Sequence, residues 1–599
     1  MAADKVKVVT GIEESKMDYI FNPLNNKTPQ GPSRTGGDVV YTLKVKQHTG
    51  AENVFFVLTD DADKSKKEIK MPVVGRENDY YIYQVTINYK NAGLYWYYFK
   101  VTKQKYKWYL CKTPLFEVEP IGQVSASFAQ LVNEKPLVPN KQMGSGVLYH
   151  IFVDRFKKPN TPAVSKPGIR LRRDWGGVLD KNTDDMLLIN KEHFGGSLYG
   201  IIDKLEYIKS LGAKTIYLSP IFESTSYHKY DAADLDQIDS MFGGNAAFKN
   251  LVSEAKKHGI GIILDGVFNH VGSDSIYFKD AIKSKDSKYY DWFTFQKYPD
   301  KYSCWWGIET LPQLNGNNPA VQNFVTETIG KYMSAGILGF RLDVADELSD
   351  TYLDKICARI RQVKPDALVL GEVWEDAATK IAYEKRRFYF NGKQLNSVMN
   401  YPLKNAIIDF VVNGNADGLA STLFMLRDHY PKEVVQNLMN FLGTHDTKRI
   451  LTVLRESSVD LAIKRLKIAS AIQYCAPGVP AVFYGDEAGV TGGDAPFCRV
   501  CFPWGKEDKE ILKWYRKLGQ LRAGDIFTDG DCNVLFAHNG VFIMERRKGK
   551  QRVILAANCA REDFRLNIDS PLADFETGKA VKDSLLLKPY DFVILTSVS

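Results

Sequence analysis

Short apolar strands alternate with amphipathic helices from Val147 to about residue 522, and this alternation constrains the fold more than any other feature. It is typical of parallel βα units. Eight strands can be identified, at residues 147–152, 215–219, 260–264, 337–342, 367–370, 397–401, 437–442 and 480–484. Since eight strands are the number that closes a barrel, we predict an α/β fold of the (β/α)8, or TIM barrel, type.

The regions on either side of the barrel are predicted to be antiparallel β-sandwich domains. Residues 1–120 contain alternating, aromatic-rich runs such as 80–89 and 94–102, and residues 523–599 contain short strands such as 541–546. Residues 121–145 are rich in Pro, Gly and Ser and are predicted to be a linker, which leaves 146–522 for the barrel domain. Residues 269–320 are too long for one helix, so we predict a subdomain inserted after the third strand.

Composition excludes several classes of protein. The 599 residues are 44% hydrophobic and 25% charged, as in ordinary globular proteins. The net charge of +8 is dispersed, without the dense basic block that nucleic-acid binding favours. No apolar stretch reaches the length of a membrane span, and the N-terminus lacks the apolar core of a secretory signal. The eight scattered cysteines indicate reduced thiols. We therefore expect a cytoplasmic protein, and secretion would require a leader that has been removed.

Polar residues directly after the strands are the candidates for chemistry, because the C-terminal ends of barrel strands converge on one face. Asp343 follows the fourth strand, Glu372 the fifth and Asp446 the seventh. A single acidic residue in such a loop is usually a helix cap or a surface charge. Three of them at strand ends of one barrel favour a catalytic set. Other polar residues at strand ends are Tyr230, Asp231, Asp265, Asn269, His270, Arg341 and His445.

Glycoside hydrolysis needs such a set of acids. One carboxyl group protonates the leaving oxygen while a second attacks the anomeric carbon or activates water, and a separation of ~5.5 Å predicts retention of configuration. Arg341 precedes Asp343 by two residues on one strand, so both project to the same side. We expect the guanidinium to keep Asp343 ionised, and partial burial beside Val373 and Trp374 to keep Glu372 protonated.

Four short segments carry a resemblance to the α-amylase family of glycoside hydrolases. They are DGVFNH (265–270), GFRLDVADE (339–347), GEVW (371–374) and FLGTHD (441–446), in that order. The resemblance implies Asp343 as the nucleophile, Glu372 as the acid/base and Asp446 as a third acid that holds sugar hydroxyls. It further implies a subsite lined by Tyr230, Asn269, His270, Arg341 and His445, with Tyr230 stacking beneath the sugar.

Within that family the chain is most similar to the neopullulanase, cyclomaltodextrinase and maltogenic amylase branch. The N-terminal sandwich and the segment LPQLN (311–315) carry this similarity. Glu347 fits the branch, whereas Asp346 stands where the branch commonly has Asn; Glu347 and Trp374 would face the acceptor sugar. The segment 493–504 would place Asp494 and Arg499 near the non-reducing side. The branch also implies a homodimer in which the N-terminal module covers a partner's active-site mouth.

A calcium site is not expected. Many relatives bind calcium after the first strand through an Asn-Gly-Asp stretch, but this chain has FKKPNTP at 156–162 and Ser197 where the branch usually has Asp. Lysines there disfavour a hard cation. We predict no bound metal and no required cofactor.

Three functions remain open. The first is a retaining hydrolase of α-1,4 bonds in maltooligosaccharides, cyclodextrins, pullulan or starch. The second is a 4-α-glucanotransferase on the same scaffold, and the third is a non-catalytic carbohydrate-binding homologue, against which the three acids count. Trp305 and Trp306, in the insertion, either pack in a core or stack on sugar. No phosphate loop, HExxH helix or GxSxG elbow is found in the sequence.

Overall fold

A closed parallel barrel of eight strands forms the centre of the computed structural model, which describes residues 17–160, 164–177, 179 and 186–597. Neighbouring strands pair in parallel, the first strand pairs with the eighth, and a Met399–Met439 bridge joins the sixth to the seventh. The predicted fold class is confirmed. The strands are Val147–Ile151, Ala213–Leu218, Gly261–Gly266, Gly339–Leu342, Leu368–Gly371, Ser397–Val398, Met439–Phe441 and Val479–Phe483.

Alternation along the strands places an apolar layer inside the barrel and a polar layer above it. Leu368 and Leu370 pack inside, and Glu372, two residues further on, continues the same face beyond the strand end. Gly371 is required between them, since a Cβ there would lie 2.3 Å from Cδ1 of Leu395. The interior apolar cluster consists of Met143, Leu148, Tyr217, Ile263, Leu338, Leu368, Leu370, Met399, Tyr401, Met439, Phe441, Val479 and Ala481.

Amphipathic helices cover the outside of the barrel. In the helix Gly244–Lys257, the predicted face of Phe248, Leu251, Val252 and Ala255 is buried. None of the helices in the described part of the chain is long and apolar enough to cross a membrane. The other helices of this domain are Val153–Phe156, Met186–Asn190, Leu198–Ile202, Leu205–Ser210, Ile276–Ala281, Pro319–Ser334, Asp350–Val363, Tyr401–Asn413, Ala416–His429, Lys432–Val435, Ile450–Ser457, Ala462–Cys475 and Lys509–Arg522.

The predicted insertion after the third strand contains the helix Ile276–Ala281 and a hairpin of Phe295–Lys297 with Lys301–Tyr302. Main-chain hydrogen bonds close its base: the Leu314 N–H donates to Asn269 O (2.9 Å) and the Val271 N–H to Pro312 O (3.1 Å). The same closure holds Asn269 and His270 at the mouth of the barrel.

The N-terminal region consists of two sheets that pack on each other. The first contains Tyr19–Ile20, Lys27–Thr28, Asp38–Lys46, Val73–Glu77 and Tyr80–Asn88. The second contains Ser33–Arg34, Asn53–Asp60, Lys66–Lys70, Gly93–Lys103, Tyr106–Lys112, Val118–Ile121 and Phe128–Asn133. Pairing is antiparallel except between the strands of Val132 and Ser33. Residues 1–16 of the predicted domain lie outside the described residues.

The segment 121–145 is not a simple linker. All six residues of its strand Phe128–Asn133 are buried, and the strand pairs with Gly93–Lys103 of the sandwich. Its short helix Lys141–Gly144 contributes Met143 to the barrel interior. Pro, Gly and Ser content predicts a linker, but the apolar run within the segment forms a buried strand.

The C-terminal region is a second β-domain. Its main sheet contains Asp531–His538, Val541–Lys548, Gln551–Asn558, Asp591–Ser597, Leu572–Asp574 and Ala580–Val581. Phe564–Asn567 and Ser584–Leu587 form a separate pair. Arg546 is buried, and its side chain donates to the carbonyl oxygens of Cys475 and Ala476, which precede the eighth barrel strand, so a side chain of this domain is bonded to the main chain of the barrel domain.

Candidate active site

One buried guanidinium organises the polar layer above the barrel. Arg341 Nη1 lies 2.5 Å from Asp343 Oδ1 and 2.8 Å from Asp265 Oδ1, and its Nη2 lies 3.0 Å from Glu372 Oε2. Three carboxylates from three strand ends therefore converge on a single cation. The predicted nucleophile and the predicted acid/base are brought to the same side of the barrel.

A second set of contacts extends this centre toward the seventh strand. The hydroxyls of Tyr217 and Tyr230 both donate to Asp265 Oδ2, at 2.6 and 2.9 Å. Tyr230 also hydrogen-bonds Nε2 of His445, on whose ring it stacks with an interplanar angle of 7°. His445 Nε2 in turn lies 3.0 Å from Oδ2 of Asp446. All three predicted acids thus belong to one contact network.

Arg499 completes the network from the loop after the eighth strand. Its Nη2 lies 3.3 Å from Asp446 Oδ1, and its Nε donates to the carbonyl oxygen of His445 (2.9 Å). Asp494 is not part of this cluster: its side chain is 81% exposed, and an ion pair at 3.9 Å links it to Lys448. Of the two residues predicted from this loop, the structure brings only Arg499 to the acids.

The backbone beside the predicted nucleophile is strained. Val344 has φ 40°, a left-handed conformation that β-branched residues rarely adopt. Its N–H donates to Glu372 Oε2 (2.8 Å). Such outliers are concentrated at functional sites, where the surroundings hold them. The hydrogen bond from the Val344 N–H thus joins the loop that carries Asp343 to the carboxyl group of Glu372.

Burial sets the electrostatics of the centre. Burial raises the pKa of Asp343 well above its ordinary value, because the opposing effect of Arg341 is offset by the nearby charges of Glu372 and Asp265. The expected effect of Arg341 is present, since Arg341 lowers the pKa of Asp343, but burial and the two neighbouring carboxylates outweigh it. Burial also tends to raise the pKa of Asp446, but His445 and Arg499 outweigh it and lower that pKa below its usual range.

His270 lies at the other side of the mouth, in contact with the inserted subdomain. Its ring is 5.5 Å from the Trp305 ring, and Asn269 Oδ1 accepts a hydrogen bond from Gln313 Nε2 (3.2 Å). Burial lowers the pKa of His270 to about 4, so the imidazole is neutral near pH 7. Within the described residues Nε2 of His270 is buried without a hydrogen-bond partner, which suits it to a sugar hydroxyl.

Glu347 lies among aromatic side chains on the side of the mouth predicted to face the acceptor. Its Oε1 accepts hydrogen bonds from Trp306 Nε1 (3.1 Å) and from the Tyr383 hydroxyl. Trp374 donates from Nε1 to Glu372 Oε1 (3.1 Å) and stacks on Tyr401 with ring centroids 4.1 Å apart. Trp305 and Trp306 stack on each other, and Trp306 is exposed, which favours sugar stacking over core packing for this residue.

The departure at Asp346 has a local explanation. Its Oδ2 lies 3.0 Å from Lys380 Nζ, and its Oδ1 accepts from the Tyr389 hydroxyl. Both partners belong to the loop after the fifth strand. A carboxylate pairs with Lys380 as the neutral amide of Asn would not, so Asp346 anchors this loop.

Sequence reasoning missed several residues of the site. The sequence places Asp265 at its strand end but does not show that it pairs with Arg341. The available signal is its position two residues after Ile263, whose side chain lies inside the barrel. Tyr217 and Tyr401 fall within the second and sixth predicted strands, and the sequence does not single them out as site residues. Tyr383 lies in a hairpin that no periodicity of the sequence predicts. Their roles depend on contacts between distant strand ends.

The side chains that follow the first strand bear on the question of calcium. The described residues contain no group of three or more His, Cys, Asp or Glu side chains placed to hold a metal ion. After the first strand, Asp154 accepts hydrogen bonds from the N–H groups of Phe194 and Gly195 and lies 2.8 Å from Arg155 Nε. Residues 161 and 162 of the compared segment lie outside the described residues.

Comparison with known proteins agrees with this geometry. Residues 150–523 match the family described as "Alpha amylase, catalytic domain". The chain belongs to the α-amylase family. This family match begins within the first barrel strand, Val147–Ile151, and extends past the helix that ends at Arg522.

Similar proteins extend the match to the flanking domains. The amylopullulanase of Thermoanaerobacterium saccharolyticum is 33% identical over an alignment of 647 positions, which covers 94% of this chain and 49% of that protein. The cyclomaltodextrinase of Thermoanaerobacter pseudethanolicus is 32% identical over 533 residues, covering 86% and 88%. A solved cyclomaltodextrinase structure is similar with a TM-score of 0.70, 25% identity and coverage of 96% and 100%. The chain spans half or less of the amylopullulanases it matches.

Proposed function

We propose that this α-amylase family protein is a retaining α-glucan hydrolase that cleaves α-1,4-glucosidic bonds of maltooligosaccharides, cyclodextrins, pullulan or starch. The observation that carries the proposal is the binding of Asp343 and Glu372 to the same guanidinium, that of Arg341. A shared cation places the two carboxyl groups close together, as double displacement at one anomeric carbon needs.

In the first step, Glu372 donates its proton to the glycosidic oxygen while Asp343 attacks the anomeric carbon. The bond to the leaving sugar breaks as the ester to Asp343 forms. In the second step, Glu372 takes a proton from water, the resulting hydroxide attacks the same carbon, and the ester breaks. Two inversions give net retention.

The proton that the first step requires must be carried by one of the acids around Arg341. Three carboxyl groups face one guanidinium, and burial raises the pKa of Asp343. Double displacement requires one proton on this group of acids before the first step begins. We assign that proton to Glu372, because Asp343 must be ionised when it attacks.

Asp446 has a separate role. Its pKa is lowered by His445 and Arg499 against the effect of burial, so it stays ionised through the reaction. A fixed carboxylate at this place accepts hydrogen bonds from sugar hydroxyls and stabilises positive charge that develops on the ring. His445, whose Nε2 lies 3.0 Å from Asp446 Oδ2, borders the same space.

The stereochemistry of the first product tests the proposal. Proton NMR during hydrolysis of maltotriose or a cyclodextrin should show the α-anomer first, with the β-anomer appearing only by mutarotation. Appearance of the β-anomer first would overturn the double-displacement assignment. Chromatography of products from pullulan then distinguishes panose, isopanose and maltotriose, and so identifies the bond that is cut.

A 4-α-glucanotransferase is the second candidate. The exposed aromatic side chains around Glu347 favour it, because they offer stacking surface for a sugar acceptor in place of water. Products longer than maltotriose, formed at high maltotriose concentration, would arise only by transfer. The third reading, a non-catalytic homologue, is disfavoured by the presence of all three acids, with Asp343 and Glu372 paired with Arg341 and Asp446 paired with Arg499.

Cofactor, location and assembly complete the proposal. Activity independent of calcium is supported by the side chains around Asp154, whose carboxylate already accepts hydrogen bonds from main-chain N–H groups. Dialysis against EDTA should leave turnover unchanged.

A cytoplasmic location is supported by eight free cysteines. A homodimer is supported by the edge strand Val73–Glu77, which exposes Val73 and Val74; light scattering checks it.

A further inference from the structure

A short hairpin in the loop after the fifth strand has an unusual turn. Ile381–Ala382 pairs with Lys385–Arg386, and the two residues between them, Tyr383 and Glu384, have φ of 50° and 64°. Two-residue hairpins with both residues in this region usually contain glycine or asparagine. A tyrosine here persists because its surroundings hold it, and such conformations are concentrated at ligand sites.

Tyr383 points across the mouth of the barrel toward the inserted subdomain. Its hydroxyl and the indole N–H of Trp306 donate to the same oxygen, Oε1 of Glu347. Trp306 also has a positive φ, of 51°. The residue Trp306 is 77% exposed and Tyr383 is 65% exposed. Two exposed aromatic residues with strained backbone thus donate hydrogen bonds to one carboxylate.

The base of this hairpin is fastened to the N-terminal sandwich. Arg386 Nε lies 2.7 Å from Asp61 Oδ2, and Nη2 donates to Asp61 Oδ1 (3.2 Å). Asp61 also accepts from Trp96 Nε1 (2.9 Å) and is buried. This two-point contact between a carboxylate and a guanidinium is geometrically specific, so the sandwich fixes where the hairpin lies.

We propose that Tyr383 and Trp306 form a clamp for an acceptor-side glucose ring, and that the N-terminal sandwich of the same chain positions this clamp through Asp61. The inference rests on the proposed function, because the acceptor is the part of the glucan, or the incoming sugar, beyond the cleaved bond. Asp61 is a positioning residue: it touches Arg386 and not the sugar.

The chemistry of the clamp fits a pyranose ring. Aromatic faces pack against the C–H face of a sugar, and the Glu347 carboxylate accepts hydrogen bonds from hydroxyls at its edge. Glu347 lies four residues after Asp343, and Trp374 lies two residues after Glu372 and hydrogen-bonds it. The clamp is therefore continuous with the reacting groups and not a separate surface.

A matched control exists in the same loop. Glu134 of the N-terminal region and Lys393 form an exposed ion pair at 2.7 Å. It joins the same two parts of the chain as Asp61 and Arg386 but lies at the far end of the loop, away from the hairpin. Substitution of either Asp61 or Glu134 would loosen the contact between the two parts of the chain. Only the substitution of Asp61 should also change the position of the hairpin.

The test measures the ratio of transfer to hydrolysis products from maltotriose, and the maltose concentration that half-saturates transfer. For Tyr383→Ala we expect that concentration to rise about ten-fold. For Asp61→Asn we expect a rise of about three-fold with a smaller change in kcat. Asp61→Glu, which keeps the carboxylate, should recover most of the loss, and Glu134→Gln should match the wild type. Thermal unfolding confirms that each variant is folded.

The outcomes separate the inference from the function on which it rests. A wild type that releases no product from any α-glucan would refute the proposed function itself. An active wild type whose acceptor half-saturation is unmoved by Tyr383→Ala would refute the clamp. Equal effects of Asp61→Asn and Glu134→Gln, or no recovery in Asp61→Glu, would refute positioning by the sandwich.

Discussion

The mouth of the barrel has two unlike halves. Around Arg341, charged side chains are buried and each carboxylate is held by several partners. Around Glu347, aromatic side chains are exposed and held by one oxygen. The first half fixes charge where bonds break, and the second offers surface for the rest of the glucan. Changes in the first half should therefore affect the chemical step, and changes in the second should affect which sugars are used.

Asp343→Asn should give the largest effect in the buried half. Loss of the nucleophile prevents formation of the glycosyl ester, so kcat should fall by about 10⁴-fold or more. Binding of maltotriose, measured by calorimetry, should persist because the other contacts remain. Asp583→Asn, at an exposed residue of the C-terminal domain, is the control and should match the wild type. Full turnover by the Asp343 variant would contradict its assignment.

Glu372→Gln should give the next largest effect, and one that depends on the leaving group. Hydrolysis of maltotriose should fall by about 10³-fold, because a sugar alkoxide leaves poorly without a proton. An aryl α-maltoside with an acidic phenol needs no protonation, so the first step should fall much less. Equal losses for both substrates in steady-state and burst kinetics would contradict the role of Glu372 as acid.

Burial of His270 should make the free energy of unfolding depend on pH. The folded pKa of His270 is about 4, against an ordinary value of 6.5, because burial disfavours the charged ring. The unfolded chain binds the proton more readily, so this contribution to stability is present above pH 6.5 and is lost as the pH falls toward 4. Between pH 7 and 4.5 the loss is about 2 to 3 kcal/mol. Urea unfolding of His270→Gln should lack that part of the pH dependence; an unchanged dependence would contradict it.

Trp306→Ala should give the smallest effect, and one confined to substrate use. Because Trp306 is exposed, its loss should move the melting temperature little, while kcat/KM for maltotriose should fall about ten-fold through lost stacking. Trp306→Phe keeps a ring and should retain part of the activity. A large fall in melting temperature with unchanged kcat/KM would show that Trp306 serves packing instead.

The two halves also differ in how far the sequence predicts them. Asp343, Glu372 and Asp446 follow apolar strands, and the closure of eight strands brings strand ends together, so these three acids could be predicted from the order of strands and short motifs. Asp61 and Arg386 are 325 residues apart, and nothing local links them. The hairpin of Tyr383 depends on that contact, so only the folded chain shows it.

The same limit applies to charge and to domain limits. Arg341 predicts the sign of its effect on Asp343, but the extent of burial and the approach of Asp265, which decide the outcome, are tertiary. The strand Phe128–Asn133 pairs with residues more than 30 positions away, and composition alone does not show this pairing. Asp494, predicted beside Arg499, is exposed and pairs with Lys448, whereas Arg499 pairs with Asp446; the sequence does not distinguish these two outcomes for neighbouring residues of one loop.

Trapping the glycosyl-enzyme tests the central claim most directly. A 2-deoxy-2-fluoro glycosyl fluoride slows both steps, and mass spectrometry of the digested protein locates the adduct. The account predicts one added fluoroglycosyl group, on the peptide that contains Asp343. An adduct on the peptide of Glu372 or Asp446 would contradict it, as would a protein that turns over maltotriose and never accumulates an adduct.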